Sequence, residues 1–256
     1  MVNALSIKRR ARAAALHFSA CVGVAAVVSL VVFRLWYPSP YSTIAGGFSL
    51  FTLLVGVDLV LGPMLTFVAA SPGKSRRELT LDLGLIVLVQ LAALAYGVYT
   101  MAQARPVYLS FEVDRFRVVT ATDIEDASLK DAPASLRQFS WTGPKQIAAL
   151  KPADPQEQLR AFDLGAAGFD LSMVPRYWAE YGPNAATAWR VARPAALLLA
   201  RGADVAPQLA EHAKAAGVPV DTLRFLPVMS RQASWVALLA GPDARVVGYL
   251  PIDGFF

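Results

Sequence analysis

Residues 44–70 read IAGGFSLFTLLVGVDLVLGPMLTFVAA, and residues 79–101 read LTLDLGLIVLVQLAALAYGVYTM. Both stretches are apolar over more than the ~20 residues that a helix rising ~1.5 Å per residue needs to cross a ~30 Å hydrocarbon core. The polar connection SPGKSRRE, residues 71–78, contains a Pro-Gly pair that ends the first helix, and three basic residues. Basic loops of membrane proteins stay on the cytoplasmic side. The pattern therefore predicts a hairpin of two membrane-spanning helices joined by a cytoplasmic turn.

A third apolar run precedes the hairpin. Residues 1–12 carry four basic residues, and residues 13–35 are apolar with few interruptions. A cleaved signal peptide is the alternative, but its apolar core has only about 7 to 15 residues and is followed by small residues. This run is longer and ends in Arg34-Leu35-Trp36-Tyr37. We therefore expect an uncleaved first helix, followed by a short external loop.

The basic residues also predict how the chain is oriented. Four of them precede the first helix, one, Arg34, lies at its outer end, and three lie in the 71–78 turn, which favours a cytoplasmic N-terminus. Three crossings then place the rest of the chain outside, in the periplasm of a bacterium. The predicted segments of this inner-membrane protein are a cytoplasmic N-terminus 1–12, membrane helices 13–35, 44–70 and 79–101, and a periplasmic domain 105–256.

Charge and cysteine content narrow the function classes. The net charge is +5, but residues 1–101 carry eight basic and three acidic residues, whereas residues 102–256 carry sixteen of each. The basic excess therefore belongs to the membrane half, where insertion explains it, and we expect no nucleic-acid partner. The single cysteine, Cys21, cannot form an intramolecular disulfide, so the outer domain must be stabilised by its own core.

Asp58 lies near the centre of the second predicted helix, where an ionised carboxylate costs about 2.5–3.5 kcal/mol. Counted from the basic turn, Asp58 and Gln90 lie at similar depths in an antiparallel helix pair. We expect a protonated Asp58 to hydrogen-bond to Gln90, and Gly56, Gly62 and Pro63 to thin and kink the helix around Asp58. A proton or ion pathway through Asp58 and Asp82 is the alternative, but these carboxylates differ in depth by roughly 10–15 Å.

The outer domain shows strand patterns at both ends and helical patterns between them. Residues 107–113 and 116–120 predict a strand pair or one bent strand, and residues 121–155 a long surface segment with one helical turn. Further helices are predicted from Asp154-Pro155 to 163, at 175–181, at 184–201 with an interruption at Pro194, and at 204–216. Strands are predicted at 223–228, 235–239 and 246–250. The fold class is therefore three membrane helices followed by an α+β domain whose end strands share one small sheet.

The common signatures of enzymes are missing. The sequence has no Gly-rich phosphate loop, no Gly-x-Ser-x-Gly elbow and no His-Glu-x-x-His, and its two histidines and one cysteine do not make a typical zinc site. Glu112 and Asp114 resemble an acidic metal motif, but alternation puts both on one strand face beside Arg115 and Arg117, which favours a solvated or salt-bridged hairpin. His212 is expected to be a solvated surface histidine. We expect no catalytic residue, metal or cofactor.

Several segments resemble the TfpX/TfpZ family of type IV pilin accessory proteins. They are Trp36-Tyr37-Pro38, Pro40-Tyr41, 54–58, Leu61-Gly62-Pro63, Ser71-Pro72-Gly73-Lys74, and above all the run 92–117, which includes Phe111-Glu112-Val113-Asp114-Arg115-Phe116. The resemblance covers residues 8–120 strongly and is diffuse from there to Thr222.

The resemblance implies an inner-membrane protein that is needed for the display of a major pilin and acts without catalysis. Its implied partners are that pilin, membrane lipids and other pilus assembly proteins. We expect the helices around Asp58, Gly62, Pro63 and Gln90 to meet the membrane helix of the pilin, and the strands carrying Glu112, Asp114 and Arg115, or the later domain, to meet its head. A pilin-modifying membrane enzyme and a transmembrane sensor of the periplasm are the alternatives.

Overall fold

The structure is a computed structural model that describes residues 4–71 and 73–256, with side chains from Ile7 onward. The first three residues of the predicted cytoplasmic segment 1–12, and Pro72 of the predicted turn, lie outside the described residues. The chain divides into two compact units. One comprises the chain up to Pro38 together with Gly47–Gln103, and the other comprises Ser39–Gly46 and Ala104–Phe256.

Three long helices form the first unit: α1 at Ala4–Val31, α3 at Gly47–Ala69 and α4 at Arg76–Gln103. A π-helical turn, Val32–Trp36, continues α1. All three are long and apolar enough to cross a membrane. They correspond to the helices expected at 13–35, 44–70 and 79–101, so the three-helix prediction is confirmed.

The segment between α1 and α3 belongs to the second unit. It contains the short helix α2, Tyr41–Ile44, and Ile44 is fully buried in the core of that unit. The hydroxyl oxygens of Tyr41 and Tyr249 lie 2.6 Å apart, and Ser230 Oγ donates a hydrogen bond to the Ile44 carbonyl oxygen at 2.7 Å. The apolar run that the sequence presents from residue 44 is therefore divided: Ile44 packs in the core of the second unit, and α3 begins at Gly47.

The second unit is built on an eight-stranded mixed sheet, larger than the small sheet expected from the sequence. Its strands are β1 Pro106–Glu112, β2 Arg115–Thr120, β3 Lys145–Ala149, β4 Trp178–Glu180, β5 Arg193–Pro194, β6 Arg224–Met229, β7 Ser234–Ala240 and β8 Arg245–Leu250. Their order across the sheet is β4-β3-β1-β2-β6-β7-β8, and β5 pairs with β6.

Strands from the two ends of the domain meet at the centre of this sheet. β1 and β2 form the predicted antiparallel pair, and β2 pairs in parallel with β6 through Phe116 and Val228. The prediction that the first and last strands share one sheet is confirmed. The prediction of a surface segment over 121–155 is wrong at β3, which pairs in parallel with β1 and buries Ile147 and Ala148 completely.

Two layers cover the sheet. On one face, α6, Tyr181–Val191, and the 39–46 segment pack on Leu109, Phe116 and Leu226. The other face is covered by α7, Val205–Ala216, over Phe225 and Leu238, and by the turns after β2 over Tyr108 and Ile147. The sheet is therefore apolar on both sides, as in other layered α+β domains.

The helices of the second unit follow the sequence patterns in part. α5 spans Pro155–Ala166 behind Asp154, as predicted, and extends beyond the expected end. The predicted helix 184–201 is divided, because Pro194 lies in β5 and Ala195–Arg201 form a 3₁₀ turn. Residues 175–180 of the helix predicted at 175–181 form a 3₁₀ turn and then β4, and Tyr181 begins α6. α7 ends at Gly217, which has the left-handed backbone (φ +71°) typical of a helix stop.

His212 is not the fully solvated side chain that the sequence suggested. It lies on α7 and is half-buried against β8, where a Cβ at Gly248 would come within 2.3 Å of the His212 Nδ1 atom. The polar neighbours of His212 along the helix gave no sign of this contact, because the strand that it meets follows much later in the sequence.

Buried tyrosine hydroxyls predict an alkaline limit to stability. Burial raises the pKa of Tyr41 and of Tyr108 to about 12, and raises the pKa of Tyr181 and Tyr249 as well. Tyrosines in the unfolded chain lose their protons near pH 10, so the folded state retains protons that the unfolded state has lost. The contribution of these tyrosines to the free energy of unfolding should be constant below about pH 10 and fall as the pH rises toward about 12, by up to about 1.4 kcal/mol per pH unit for each tyrosine.

Denaturant unfolding of the detergent-solubilised protein, followed by circular dichroism at about pH 9 and pH 11, measures this effect. The Tyr41→Phe variant should lose less stability over that interval than the natural protein. An equal loss in both proteins would contradict the assignment to Tyr41.

Candidate functional site

The three long helices leave a groove between α1 and α4. α1 packs along α3, and α3 packs along α4, whereas over the described residues α1 and α4 do not pack along each other. The resulting cavity has a volume of about 250 Å³. We call it the α1–α4 groove, and it is lined by His17, Ala20, Cys21, Val24, Ala25, Val55, Asp58, Leu59, Val87, Gln90, Leu91 and Leu94.

α1 is joined to α3 near both ends of their contact. His17 Nδ1 lies 2.5 Å from Thr66 Oγ1, and the Phe33 and Phe51 rings meet edge to face with centroids 5.1 Å apart. Buried hydrogen bonds and aromatic pairs of this kind fix which helix faces meet. The face of α1 that carries His17 is therefore directed at α3, and the small residues Ala15, Ser19 and Gly23 lie on its exposed side. This row of small residues therefore does not pack against α3.

α3 and α4 are joined through Gln90 and Asp58, as the sequence predicted, but the atom of Asp58 that accepts the hydrogen bond is not the predicted one. Gln90 Nε2 donates to the main-chain carbonyl oxygen of Asp58 at 3.3 Å, whereas the prediction named the Asp58 carboxyl group. Gly62 provides the room for this side chain, because a Cβ there would lie 2.2 Å from Gln90 Nε2. Pro63 follows inside α3. The structure thus brings Asp58, Gly62 and Gln90 together.

The floor of the groove carries hydrogen-bond acceptors. Asp58 and Gln90 both line the groove, and Gln90 Oε1 is buried without a hydrogen-bond partner in the part of the chain that the structure describes. A buried, unpaired acceptor costs about 1–3 kcal/mol. The groove therefore favours an occupant that brings a hydrogen-bond donor.

Gly62 and Gly56 offer a matched test of the α3–α4 contact. Gly62→Leu must displace the Gln90 side chain and break its hydrogen bond, and we expect a loss of about 1–3 kcal/mol of stability. Gly56→Leu on the same helix should be near neutral, because a Cβ added at Gly56 would have nothing within 4 Å of it. Thermal unfolding in detergent measures both, and equal melting temperatures for the two variants would contradict this packing.

Asp82 is separate from the groove. Its carboxylate forms an ion pair with Lys74 Nζ at 2.5 Å, at the start of α4. A carboxylate near a helix N-terminus is also favoured by the helix dipole. Nothing in this contact joins Asp82 to Asp58.

The predicted polar residues of the β1–β2 hairpin make contacts within the chain. Glu112 accepts hydrogen bonds from the main-chain N–H and the hydroxyl of Ser172, and Asp114 pairs with Arg115 at 2.8 Å. Asp114 lies in the turn and not on the strand face with Glu112, so the expectation of one shared face is wrong. Between them, Val113 is 58% exposed with φ +55°, a strained backbone for a β-branched residue.

A second, open cleft of about 540 Å³ lies beside β4. Its charged groups pair with one another: Arg176 lies 3.5 Å from Asp131 and 3.7 Å from Glu157, and Tyr177 donates to Glu157 at 3.1 Å. Burial and the neighbouring Glu157 raise the pKa of Tyr177. Over residues 4–71 and 73–256, no group of three or more His, Cys, Asp or Glu side chains could hold a metal ion.

Comparison with known proteins identifies the family. The family model for fimbrial assembly protein FimB matches residues 5–46, which span α1 and the 39–46 segment. A fimbrial assembly protein of serogroup I from Dichelobacter nodosus is 32% identical over 247 residues, which cover 96% of each chain. The chain belongs to the fimbrial assembly protein family. Its predicted role in pilus assembly is thereby confirmed at the level of the family.

Two further fimbrial assembly proteins from the same organism are similar to it. The serogroup E1 protein is 30% identical over 247 residues, again 96% of each chain. The protein of serogroups C1 and C2 is 41% identical over 114 residues, which cover 44% of this chain and 87% of that relative. No solved structure matches the chain. Family membership therefore rests on sequence over nearly the whole length.

Proposed function

We propose that this fimbrial assembly protein is an inner-membrane accessory of type IV pilus biogenesis, similar to the TfpX/TfpZ proteins, and that it acts without catalysis on the major pilin. A pilin before assembly is a membrane helix with a periplasmic head. The α1–α4 groove carries the proposal, because it offers such a helix an unfilled site with acceptors at its floor.

The two chain segments that make up the second unit support three full crossings of the membrane. Ser39–Gly46 follows α1 and packs in one core with Ala104–Phe256, which follows α4. The two segments must then lie on the same side of a membrane, as they do when α3 and α4 both cross it. With basic residues concentrated before α1 and between α3 and α4, that side is the periplasm.

The groove matches the needs of a membrane helix better than those of a small molecule. Helices in lipid associate through close packing and interhelical hydrogen bonds, because the hydrophobic effect does not drive them together there. A helix placed in the groove would contact α1 and α4 along their facing sides and present a donor to Asp58 or Gln90. A helix bound there would displace membrane lipid from the α1–α4 groove.

The expected contacts with the pilin head stay predictions. Glu112 is engaged by Ser172, and the Arg115 guanidinium lies over the Phe255 ring, 5.3 Å from its centroid. Asp114 and the exposed Val113 at the hairpin tip remain accessible for a partner. Other pilus assembly proteins are further partners in this proposal.

The amount and mass of surface pilin test the proposed function. In cells that lack the gene, sheared surface pilin should fall at unchanged intact mass, with total cellular pilin as the control. A shifted pilin mass would contradict the non-catalytic role and favour a modifying enzyme. Unchanged surface pilin would remove pilin from the partners.

A further inference from the structure

Helix α5 directs its apolar side away from its own domain. The half-buried residues of this helix are Glu157, Ala161 and Leu164, which share one side. On the opposite side, Leu159 is 63% exposed and Phe162 is 72% exposed. No residue of α5 is buried. An amphipathic helix normally turns its large apolar side chains inward, so this orientation requires a separate explanation.

Helix α5 forms without burying that side. At its start, Asp154 Oδ1 accepts hydrogen bonds from the main-chain N–H groups of Gln156 at 2.8 Å and Glu157 at 3.0 Å. At its end, Gly168 adopts φ +90° and the Phe169 N–H donates to the Leu164 carbonyl oxygen at 2.9 Å, a Schellman stop. Both ends are capped, so the helix holds Leu159 and Phe162 in place before anything covers them.

We propose that the Leu159–Phe162 face of α5 docks into an apolar groove with a basic rim on a partner protein in the compartment of the outer domain. Leu159, Phe162 and Ala166 have the i, i+3, i+7 spacing by which amphipathic helices enter such grooves. This inference does not depend on what fills the α1–α4 groove.

The charges of α5 select the chemistry of the partner. The helix and its cap carry Asp154, Glu157 and Asp163 against a single Arg160, which is already paired with Glu157 at 2.8 Å. Asp163 flanks the exposed apolar face. The Asp163 carboxylate beside this face is complementary to Lys or Arg on a partner, and such complementarity governs both encounter and specificity.

The same charges disfavour two other partners for the exposed face of α5, an anionic membrane and a second copy of this chain. Helices that lie on anionic membranes carry Lys and Arg on the polar side, and α5 has an excess of acids. A second copy of this chain would bring the Asp163 carboxylates of two α5 helices to one interface, where like charges repel. A basic-rimmed protein groove is free of both objections.

Photo-crosslinking in living cells tests the proposal on the full-length protein. A benzophenone amino acid at Phe162 should give an adduct with a defined second protein, identified by mass spectrometry, whereas the same probe at Ala161 on the half-buried side should not. Asp163→Lys should reduce the adduct about fivefold, because it places a cation against the basic rim.

A double variant tests the apolar face with the probe placed at a different position. The double variant Leu159→Ser/Phe162→Ser should leave the melting temperature unchanged, because both side chains are exposed. For this variant the benzophenone probe is moved to Ala166, where the natural protein should give an adduct that Asp163→Lys reduces. The double variant should abolish that adduct. Leu197→Ser/Leu199→Ser is the matched control, with side chains 45% and 49% exposed elsewhere on the same unit. Adducts only with lipid, adducts only with a second copy, or no adduct would each overturn the proposal.

Discussion

Replacing Asp58 with leucine is expected to lower the amount of pilin on the cell surface by about three- to thirtyfold, with the protein itself inserted in the membrane at its normal amount. The range follows from the ~0.6–2 kcal/mol that one interhelical hydrogen bond contributes in a membrane. Asp58 is an acceptor in the lining of the α1–α4 groove, and leucine removes it. Insertion is not impaired, because a leucine enters the bilayer more favourably than an ionisable carboxyl group.

Two controls separate the groove from general effects on α3. Asp58→Asn keeps a side-chain oxygen that can accept a hydrogen bond and should retain most of the surface pilin. Val57→Leu changes a neighbouring side chain that is 48% exposed and absent from the groove lining, and it should have no effect. Sheared surface pilin, quantified against total pilin and against the variant protein in membranes, is the measurement. Normal surface pilin in Asp58→Leu cells would contradict the role of Asp58.

The largest effect on folding is expected from Ile44→Asp. Ile44 is fully buried among sheet residues of the outer domain, although the sequence places it at the edge of a membrane helix. A carboxylate there would be unpaired in an apolar core, which costs several kcal/mol and exceeds the loss that most single substitutions cause. We expect the outer domain to become sensitive to protease while α1, α3 and α4 remain inserted.

Limited proteolysis of membranes measures this loss. Val220→Asp is the matched control, because Val220 lies in the same unit and is 47% exposed. Ile44→Val, which removes one methylene group, should cost only about 0.5–1.5 kcal/mol and leave the domain resistant. A protease-resistant outer domain in Ile44→Asp would contradict the placement of the 39–46 segment in its core.

The long helices and the end strands could be predicted from the sequence because their signals are local. Hydrophobic length marks α1, α3 and α4, and strand patterns bounded by turns mark β1, β2 and β6 to β8. β3 could not be found in this way. It is five residues long, begins with two exposed polar residues, and is a strand because it pairs with β1 far back in the chain.

The α3–α4 contact of the site could be predicted from the sequence, whereas the packing of α1 on α3 could not. Matching depths in an antiparallel hairpin were enough to pair Asp58 with Gln90. The groove depends on the geometry with which α1 packs on α3, and that geometry cannot be predicted from a single sequence. The same holds for Ile44 and for α5, where an amphipathic pattern identifies an apolar side but not whether it faces the domain.

Photo-crosslinking from the α1–α4 groove tests the central claim most directly. Leu91 lines the groove and is 54% exposed, whereas Val60 is 63% exposed on α3 and does not line it. A benzophenone amino acid at Leu91 in living cells should yield an adduct with the major pilin, and the same probe at Val60 should not. No pilin adduct from Leu91, or equal adducts from both positions, would contradict the claim that the groove holds the pilin helix.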